Sequence, residues 1–445
     1  MATWYDRRAN LEREALEHMK NIRTYTVLAG LLGVAGLLAP ATAAAQNAAI
    51  TNVRIVVGNG NVIENGTIIV RDGKIATVTG GAVQVPQGLQ VIDAKGMSAM
   101  PGFIDGHKHL NDGPTAKAWM QSLLEAGFTT ILIGGGQGPA NVALAAKVDS
   151  GEYNGPRLIP SGQISLNQTP AEARAAVQAL AKLGVKHTGE INITPEPAPP
   201  QAQIEVLKAI VDEGKKVGVQ PNIHAVSSTA MVAAVDAGVT RLVHLPNKDW
   251  TSFEQADTVA KAGAVVSGLI AFGAPNLDRL SNGPGVQWPK DNTPRFRDAK
   301  PWPEAIAGAN RDAKGRATGT EGGYTIINAR RIWDADPEHR TMSYSTDQNA
   351  DDLVVLEHEL KSFNIVFSMA DIHKIMTQNG ARFVGLENEI GTLEQGKRAD
   401  IVLFGGDVQN NIYELIGTAK VVFRDGKIVV DKRPAPAPAA PARRR

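Results

Sequence analysis

At 445 residues, 43% hydrophobic and 20% charged, the chain has the composition of a globular protein, long enough for one large domain and a smaller one. Its formal net charge of +1 gives no electrostatic case for nucleic acid or an anionic membrane as a partner. With no cysteine, disulfides, thiolate nucleophiles and Cys-type zinc sites are excluded. Any metal site must therefore use His, Asp, Glu or a modified Lys.

From Met19 the chain reads Lys-Asn-Ile-Arg, then an apolar run over 26–39, then Ala-Thr-Ala-Ala-Ala at 41–45 before Gln46. That is the basic, apolar and small-residue order of an export signal. The apolar run falls short of the about 20 residues that a transmembrane helix needs. Residues 1–18 are polar and foreign to such a signal, so Met19 rather than Met1 is the expected start. Residues 1–45 are read as an N-terminal extension and signal peptide, and the mature protein as periplasmic or secreted.

Residues 46–100 read as short strands, with 53–57 and 66–70 strand-like and Arg71-Asp72-Gly73-Lys74 a hairpin turn centred on Asp-Gly. The segment 386–433 echoes it: 401–404, 420–423 and 428–430 are strand-like, and Arg424-Asp425-Gly426-Lys427 repeats the turn. These two segments are expected to pair as one small β-sandwich. Between them, over 101–385, apolar strands alternate with helices: 116–125 then 129–133, 170–183 then 190–194, 202–213 then 217–223, 228–237 then 240–243, 254–262 then 264–269. Such alternation implies parallel strands with right-handed crossovers, in sufficient number for a closed (β/α)8 TIM-like barrel whose active site lies at the C-terminal strand ends. The weakly periodic, Gly/Pro/Asn/Arg-rich stretch 271–340 reads as a long loop or lid, and 434–445 as a disordered tail.

Candidate ligands recur at expected strand ends. Pro101-Gly-Phe-Ile-Asp-Gly-His-Lys-His109 places His107 and His109 two apart, on one face of an extended strand. Glu190, His224, His244 and Asp347 follow in similar contexts. Four of the nine histidines of the chain fall in this set. Gly134-Gly135-Gly136 lacks the spacing of a phosphate loop and reads as a flexible strand-end loop. His187 reads as a core or solvated residue. Arg330, Arg331 and Tyr344 are candidates for a substrate carboxylate or for the surface.

The chain resembles the amidohydrolase superfamily over about residues 49–432. The resemblance rests on Pro101–His109, with support from Gly127-Phe-Thr-Thr130, Gly155-Pro-Arg157 and Gly391-Thr-Leu-Glu-Gln-Gly-Lys-Arg-Ala-Asp-Ile-Val-Leu403. It implies that His107 and His109 bind the more buried of two divalent metal ions, that His224 and His244 bind the second, and that Asp347 binds the first and handles protons. Zinc is the leading candidate, with another transition metal admissible at one position. Many relatives bridge their metals with a carboxylated lysine. Here Lys186 lies too early, and a Gly-Glu pair resembling that of enamidase offers Glu190 as the bridge, with a second-sphere role for Glu190 and a single metal as the other option.

The implied activity is hydrolysis of a C–N bond in a small-molecule amide or cyclic amide by a metal-activated hydroxide. An Xaa-Pro dipeptidase or imidazolonepropionase-like hydrolase is the second enzyme reading, and a non-catalytic metal-binding barrel the third. A homo-oligomer is expected, with neither nucleic acid nor membrane as partner.

Overall fold

In the computed structural model, residues 46–270, 319–347 and 352–434 are described. The expected signal segment, residues 271–318 and residues 435–445 of the expected tail lie outside them. The described residues begin with five strands, β1 (Ala48–Val56), β2 (Val62–Arg71), β3 (Lys74–Gly80), β4 (Gln90–Asp93) and β5 (Ser98–Pro101). They join β15 (Ile401–Phe404), β16 (Ala419–Arg424) and β17 (Lys427–Asp431) in one eight-stranded sheet of order β17-β16-β15-β5-β1-β2-β3, with β4 also paired to β1. The two ends of the sequence therefore do meet. They form one hydrogen-bonded sheet, in which β15 pairs antiparallel with β5 across the junction. Its inner face buries Ile50, Ile55, Ile68, Ile92, Ile401, Val421 and Phe423 in a single apolar core.

Both Asp-Gly turns form as expected. Asp72 and Gly73 have φ of 51° and 80°, and Asp425 and Gly426 have 51° and 71°, the left-handed pair that closes a two-residue hairpin. The two turns also pack on each other: a Cβ on Gly426 would lie 2.6 Å from Gly73 Cα, so no larger residue fits there.

The barrel is built from β6 (Phe103–Lys108), β7 (Phe128–Ile133), β8 (Arg157–Ile159) continued past Pro160 as β9 (Ser161–Gly162), β10 (His187–Asn192), β11 (Gln220–His224), β12 (Arg241–Val243), β13 (Val265–Gly268) and β14 (Met342–Tyr344). All neighbouring pairs are parallel, in the orders β6-β7-β8 and β9-β10-β11-β12-β13-β14. The circle closes through a parallel bridge between Lys108, the last residue of β6, and Asp347, just past the end of β14. Ile104, Leu132, Val243 and Val265 fill the interior together with Phe383.

The crossover helices are α1 (Ala116–Glu125), α2 (Gly138–Asp149), α3 (Pro170–Lys182), α4 (Gln201–Val217), α5 (Ser228–Asp236), α6 (Phe253–Lys261) and α7 (Gly319–Asp334). Thr169 with Glu172, and Ser252 with Gln255, form capping boxes that fix where α3 and α6 begin. The helix α7 corrects the expectation of a loop throughout 271–340. Thr325, Asn328, Ala329, Ile332 and Trp333 are buried at helical spacing, which the glycines at its start conceal. Three further helices, α8 (Asp352–Val366), α9 (Met369–Met376) and α10 (Gln378–Phe383), lead back to the sheet. Among the described residues, no helix is long and apolar enough to cross a membrane.

Candidate metal centre

All six expected residues converge at the C-terminal mouth of the barrel. Glu190, the fourth residue of β10, stands at the centre of the group. Its Oε1 lies 3.2 Å from His109 Nε2. Its Oε2 lies 2.8 Å from His224 Nδ1, 3.3 Å from His244 Nε2 and 3.5 Å from His107 Nε2. Asp347 Oδ1 lies 3.3 Å from His109 Nε2 and 3.6 Å from His107 Nε2. One ligand atom each from His107, Glu190, His244 and Asp347 falls within 4.8 Å of all the others, so this quartet has the compactness of a metal site.

The donor set passes a chemical test for such an ion. His107 Nε2, His109 Nε2 and Asp347 Oδ1 are buried and make no hydrogen bond, although carboxylate oxygens and imidazole nitrogens crowd around them. Buried polar atoms are nearly always satisfied. Ligand atoms gathered closely without hydrogen-bond geometry are what coordination requires. Four imidazoles with two carboxylates suit zinc and its borderline neighbours.

The electrostatics agree. Burial raises the Glu190 carboxyl, but the adjacent His109, His224 and His244 imidazoles outweigh it and hold the group far below the usual range. Burial likewise opposes ionisation of Asp347, and the adjacent His107 and His109 again win, so it too stays ionised. In return, Asp347 and Glu190 push His109 up to about 9, whereas burial lowers His244. The cluster holds two carboxylates already ionised at neutral pH, the form that binds a cation.

Local backbone explains how these side chains reach one point. His244 and Asp347 have φ of 69° and 56°, a left-handed conformation that is uncommon for non-glycine residues and that His and Asp adopt more readily than most. Asp347 donates its N–H to the His107 carbonyl and accepts from His109 N, both at 2.9 Å. The Glu190 main chain is pinned on both sides: its N–H donates to Gly134 O at 2.8 Å, and its carbonyl accepts from Gln163 Nε2 at 2.6 Å. A Cβ on Gly189 would lie 3.0 Å from Gln163 Oε1 and 3.1 Å from Gly134 O, which is why a glycine precedes the glutamate.

Gly134 and Gly135 belong to the site and are not a flexible loop. A Cβ on Gly134 would lie 2.4 Å from the His107 ring, and one on Gly135 would lie 2.5 Å from the His109 ring. The buried side chain of Asn141, on α2, donates to the carbonyls of Gly135 (2.7 Å) and Ser161 (2.9 Å) and fixes the turn. Sequence reading missed these residues because glycine signals freedom, not contact. Asp105, two before His107, was also missed, although a buried carboxylate at that spacing shares the strand face. Burial outweighs its Lys108, Thr346 and His107 contacts and lifts it to about 6.

Other candidates fall elsewhere. His187 is buried at the opposite end of β10 and donates through Nε2 to the Val384 carbonyl. Lys186 precedes that strand, at the end remote from Glu190. Arg330 pairs with Asp334, Arg331 donates to Thr251 O, and Tyr344 is buried against Phe128. Each of the three is thus engaged by the fold.

A parallel barrel with a mixed His/carboxylate cluster at its C-terminal mouth, flanked by a sheet from both chain ends, defines the class: a metal-centre barrel of the hydrolase type. The chain belongs to the amidohydrolase family, whose sequence model matches residues 98–429. An uncharacterized protein of Mycobacterium tuberculosis is 28% identical over 202 residues, 40% of this chain and 31% of that one. A dihydroorotase of Staphylococcus aureus is 33% identical over 85 residues, 17% of this chain and 20% of the enzyme. The matched region thus spans about a third or less of these curated relatives. Among solved structures, phenylurea hydrolase B superposes with TM-score 0.67 at 20% identity, covering 87% of this chain and 97% of that one. An Xaa-Pro dipeptidase with methionine bound in its active site gives 0.66 at 18%, covering 86% and 99%. At such identities the likeness concerns the fold.

Proposed function

We propose that this chain is a metal-dependent hydrolase that cleaves the C–N bond of a small amide or cyclic amide, in the manner of enamidase. The observation that carries the reading is the division of the Glu190 carboxylate, with one oxygen toward His109 and the other toward His224, His244 and His107. A carboxylate so shared suits a bridge between two divalent ions, and zinc fits the donors. His107, His109 and Asp347 would hold one ion, and His224 and His244 the other. Ions bound there would supply Lewis acidity, which lowers the pKa of water and polarises a carbonyl.

The residues of the chain do the rest. Asp347, ionised and directed into the cluster, takes a proton from the attacking water and returns it to the leaving nitrogen. Glu190 remains ionised throughout and needs no added CO2 to carry its charge. The Gly134–Asn141 turn and the Gln163 side chain hold the histidines and Glu190 in place, so the donors are set before substrate arrives.

The second reading is an Xaa-Pro dipeptidase, favoured by the structural likeness to one such enzyme. Elemental analysis combined with a panel of linear amides, cyclic amides and dipeptides separates the readings. We expect two metals per chain and turnover of an amide or cyclic amide. Preference for Xaa-Pro substrates would replace that assignment. Full metal content with no turnover across the panel would identify a binding protein. Export to the periplasm or medium is also proposed, from the segment 19–45; intact mass of protein from the native host tests it, and a mature chain beginning at Met1 would refute it. Sedimentation analysis tests the proposed homo-oligomer.

A further inference from the structure

Three polar residues beside the centre are not among its six candidate ligands: Asp105, Lys108 and Thr346. Asp105 and Lys108 are fully buried, and Thr346 is 1% exposed. They lie at the seam where the barrel closes. There, between β14 and β6, the ladder is reduced to the Lys108–Asp347 bridge. The Asp105 carboxylate spans the gap. Its Oδ1 accepts the backbone N–H of His107 at 3.0 Å and that of Thr346 at 3.3 Å. Its Oδ2 accepts the Thr346 hydroxyl proton. The same hydroxyl oxygen accepts from Lys108 Nζ at 2.9 Å.

One hydroxyl therefore connects a buried anion on one side of the seam to a buried cation. The residue carrying it immediately precedes Asp347, which holds a left-handed φ of 56°. The residue whose N–H Asp105 holds is His107, which shares the Asp347 carboxylate. A buried carboxylate and ammonium cost several kcal/mol each in desolvation, and apolar residues would close a seam more cheaply. The arrangement suits geometric precision better than stability.

We propose that Asp105, Thr346 and Lys108 form a positioning triad that locks Asp347 against His107 across the barrel seam and so sets the metal affinity of the centre. The inference rests on the metal-centre reading above. Its central element is the Thr346 hydroxyl, which valine removes at nearly constant shape and serine restores.

The test is zinc titration of chelator-stripped wild-type, Thr346→Val and Thr346→Ser proteins against a competing chromophoric chelator, with thermal melting of the stripped forms. Outer partners of metal ligands typically contribute about 10–100-fold in affinity. We expect Thr346→Val to bind zinc weaker by that factor, and Thr346→Ser to bind close to wild type. On any amide the wild type cleaves, the valine variant should lose kcat with KM little changed. Equal zinc affinity in valine variant and wild type overturns the proposal. Equal losses in valine and serine variants overturn it in favour of packing. A lower melting temperature with unchanged zinc affinity overturns it in favour of a merely structural role. If Thr346→Val does not fold, Asp105→Asn, which keeps the size but loses the charge, is judged by the same zinc criterion. Failure of the wild type to bind zinc overturns the metal centre itself and this inference with it. Zinc bound without turnover of any amide overturns only the assigned activity.

Discussion

Gly134 lies against the ring of His107 so closely that a methyl group on it would sit 2.4 Å from the imidazole. The ring is buried and constrained by its neighbours, so it cannot yield as a surface side chain would. Gly134→Ala should displace His107 from Glu190 and Asp347. We expect metal content to fall markedly and stability to drop by about 1–3 kcal/mol, the usual cost of overpacking. Gly113→Ala, where nothing lies within 4 Å, should leave metal content unchanged. Elemental analysis and urea denaturation of the two variants decide the matter, and equal metal content in both would refute the steric account.

Arg157 ties the barrel to the sheet. Its guanidinium reaches Asp400 at 2.7 Å, Asp425 at 2.6 Å and Thr130 Oγ1 at 2.7 Å. Asp400 is 4% exposed, so losing the arginine leaves a buried carboxylate without its countercharge. Arg157→Met should cost about 3–5 kcal/mol. Because the pair stands apart from the six ligands, metal content per folded chain should not change. Denaturant titration with metal analysis checks both halves; a stability loss under 1 kcal/mol would show that the contact contributes little.

The contrast between these two residues shows what sequence makes legible. The ligands could be read because His107 and His109 share a strand face and because histidine is scarce and concentrated at strand ends. The Asp72-Gly73 and Asp425-Gly426 turns could be read because Asp-Gly encodes its own left-handed geometry. Contacts between distant segments could not. Nothing local pairs Asp105 with Thr346, Gly73 with Gly426, or Gly134 with the His107 ring. Residues 319–334 read as loop because Gly322 and Gly323 mask a helix stabilised by tertiary burial of Ile332 and Trp333.

The buried histidines remote from the centre make the fold sensitive to acid. Burial, with the Arg241 charge, lowers His187 to about 4, and burial lowers His373 to about 4. In the unfolded chain each titrates near 6.5. Between those values the unfolded state binds more protons, so stability falls as pH drops from about 6.5 to 4, by up to about 3 kcal/mol per group. Urea denaturation of metal-stripped protein at pH 7 and pH 5 should show the loss. His187→Gln, which keeps a donor for the Val384 carbonyl, should make the pH dependence shallower. An unchanged slope would mean that His187 does not contribute.

Replacing Glu190 distinguishes it from the carboxylated lysine of many relatives. Glu190→Ala removes the group shared by all four histidines and should lower metal content, and bicarbonate should not restore it. Unaltered metal content would remove Glu190 from the ligand set. Rescue of metal-depleted wild type by bicarbonate would direct attention to a lysine instead.

Asp347→Asn should separate binding from turnover. Asparagine retains nearly the same shape and one ligating oxygen, and the left-handed backbone at φ 56° suits Asn as well as Asp. The four histidines and Glu190 still supply most of the coordination. What is lost is the ionised carboxylate, held in that state against burial by His107 and His109. An amide cannot accept the water proton at neutral pH. General acid–base catalysis contributes about 10²–10⁴-fold, so kcat should fall by at least that order. KM should change less, because docking relies on other contacts of the mouth. Steady-state kinetics and metal analysis on one preparation settle the point. A variant that keeps its metal and near wild-type kcat would mean that Asp347 is not the proton carrier, and the assigned mechanism would have to place that role on another group.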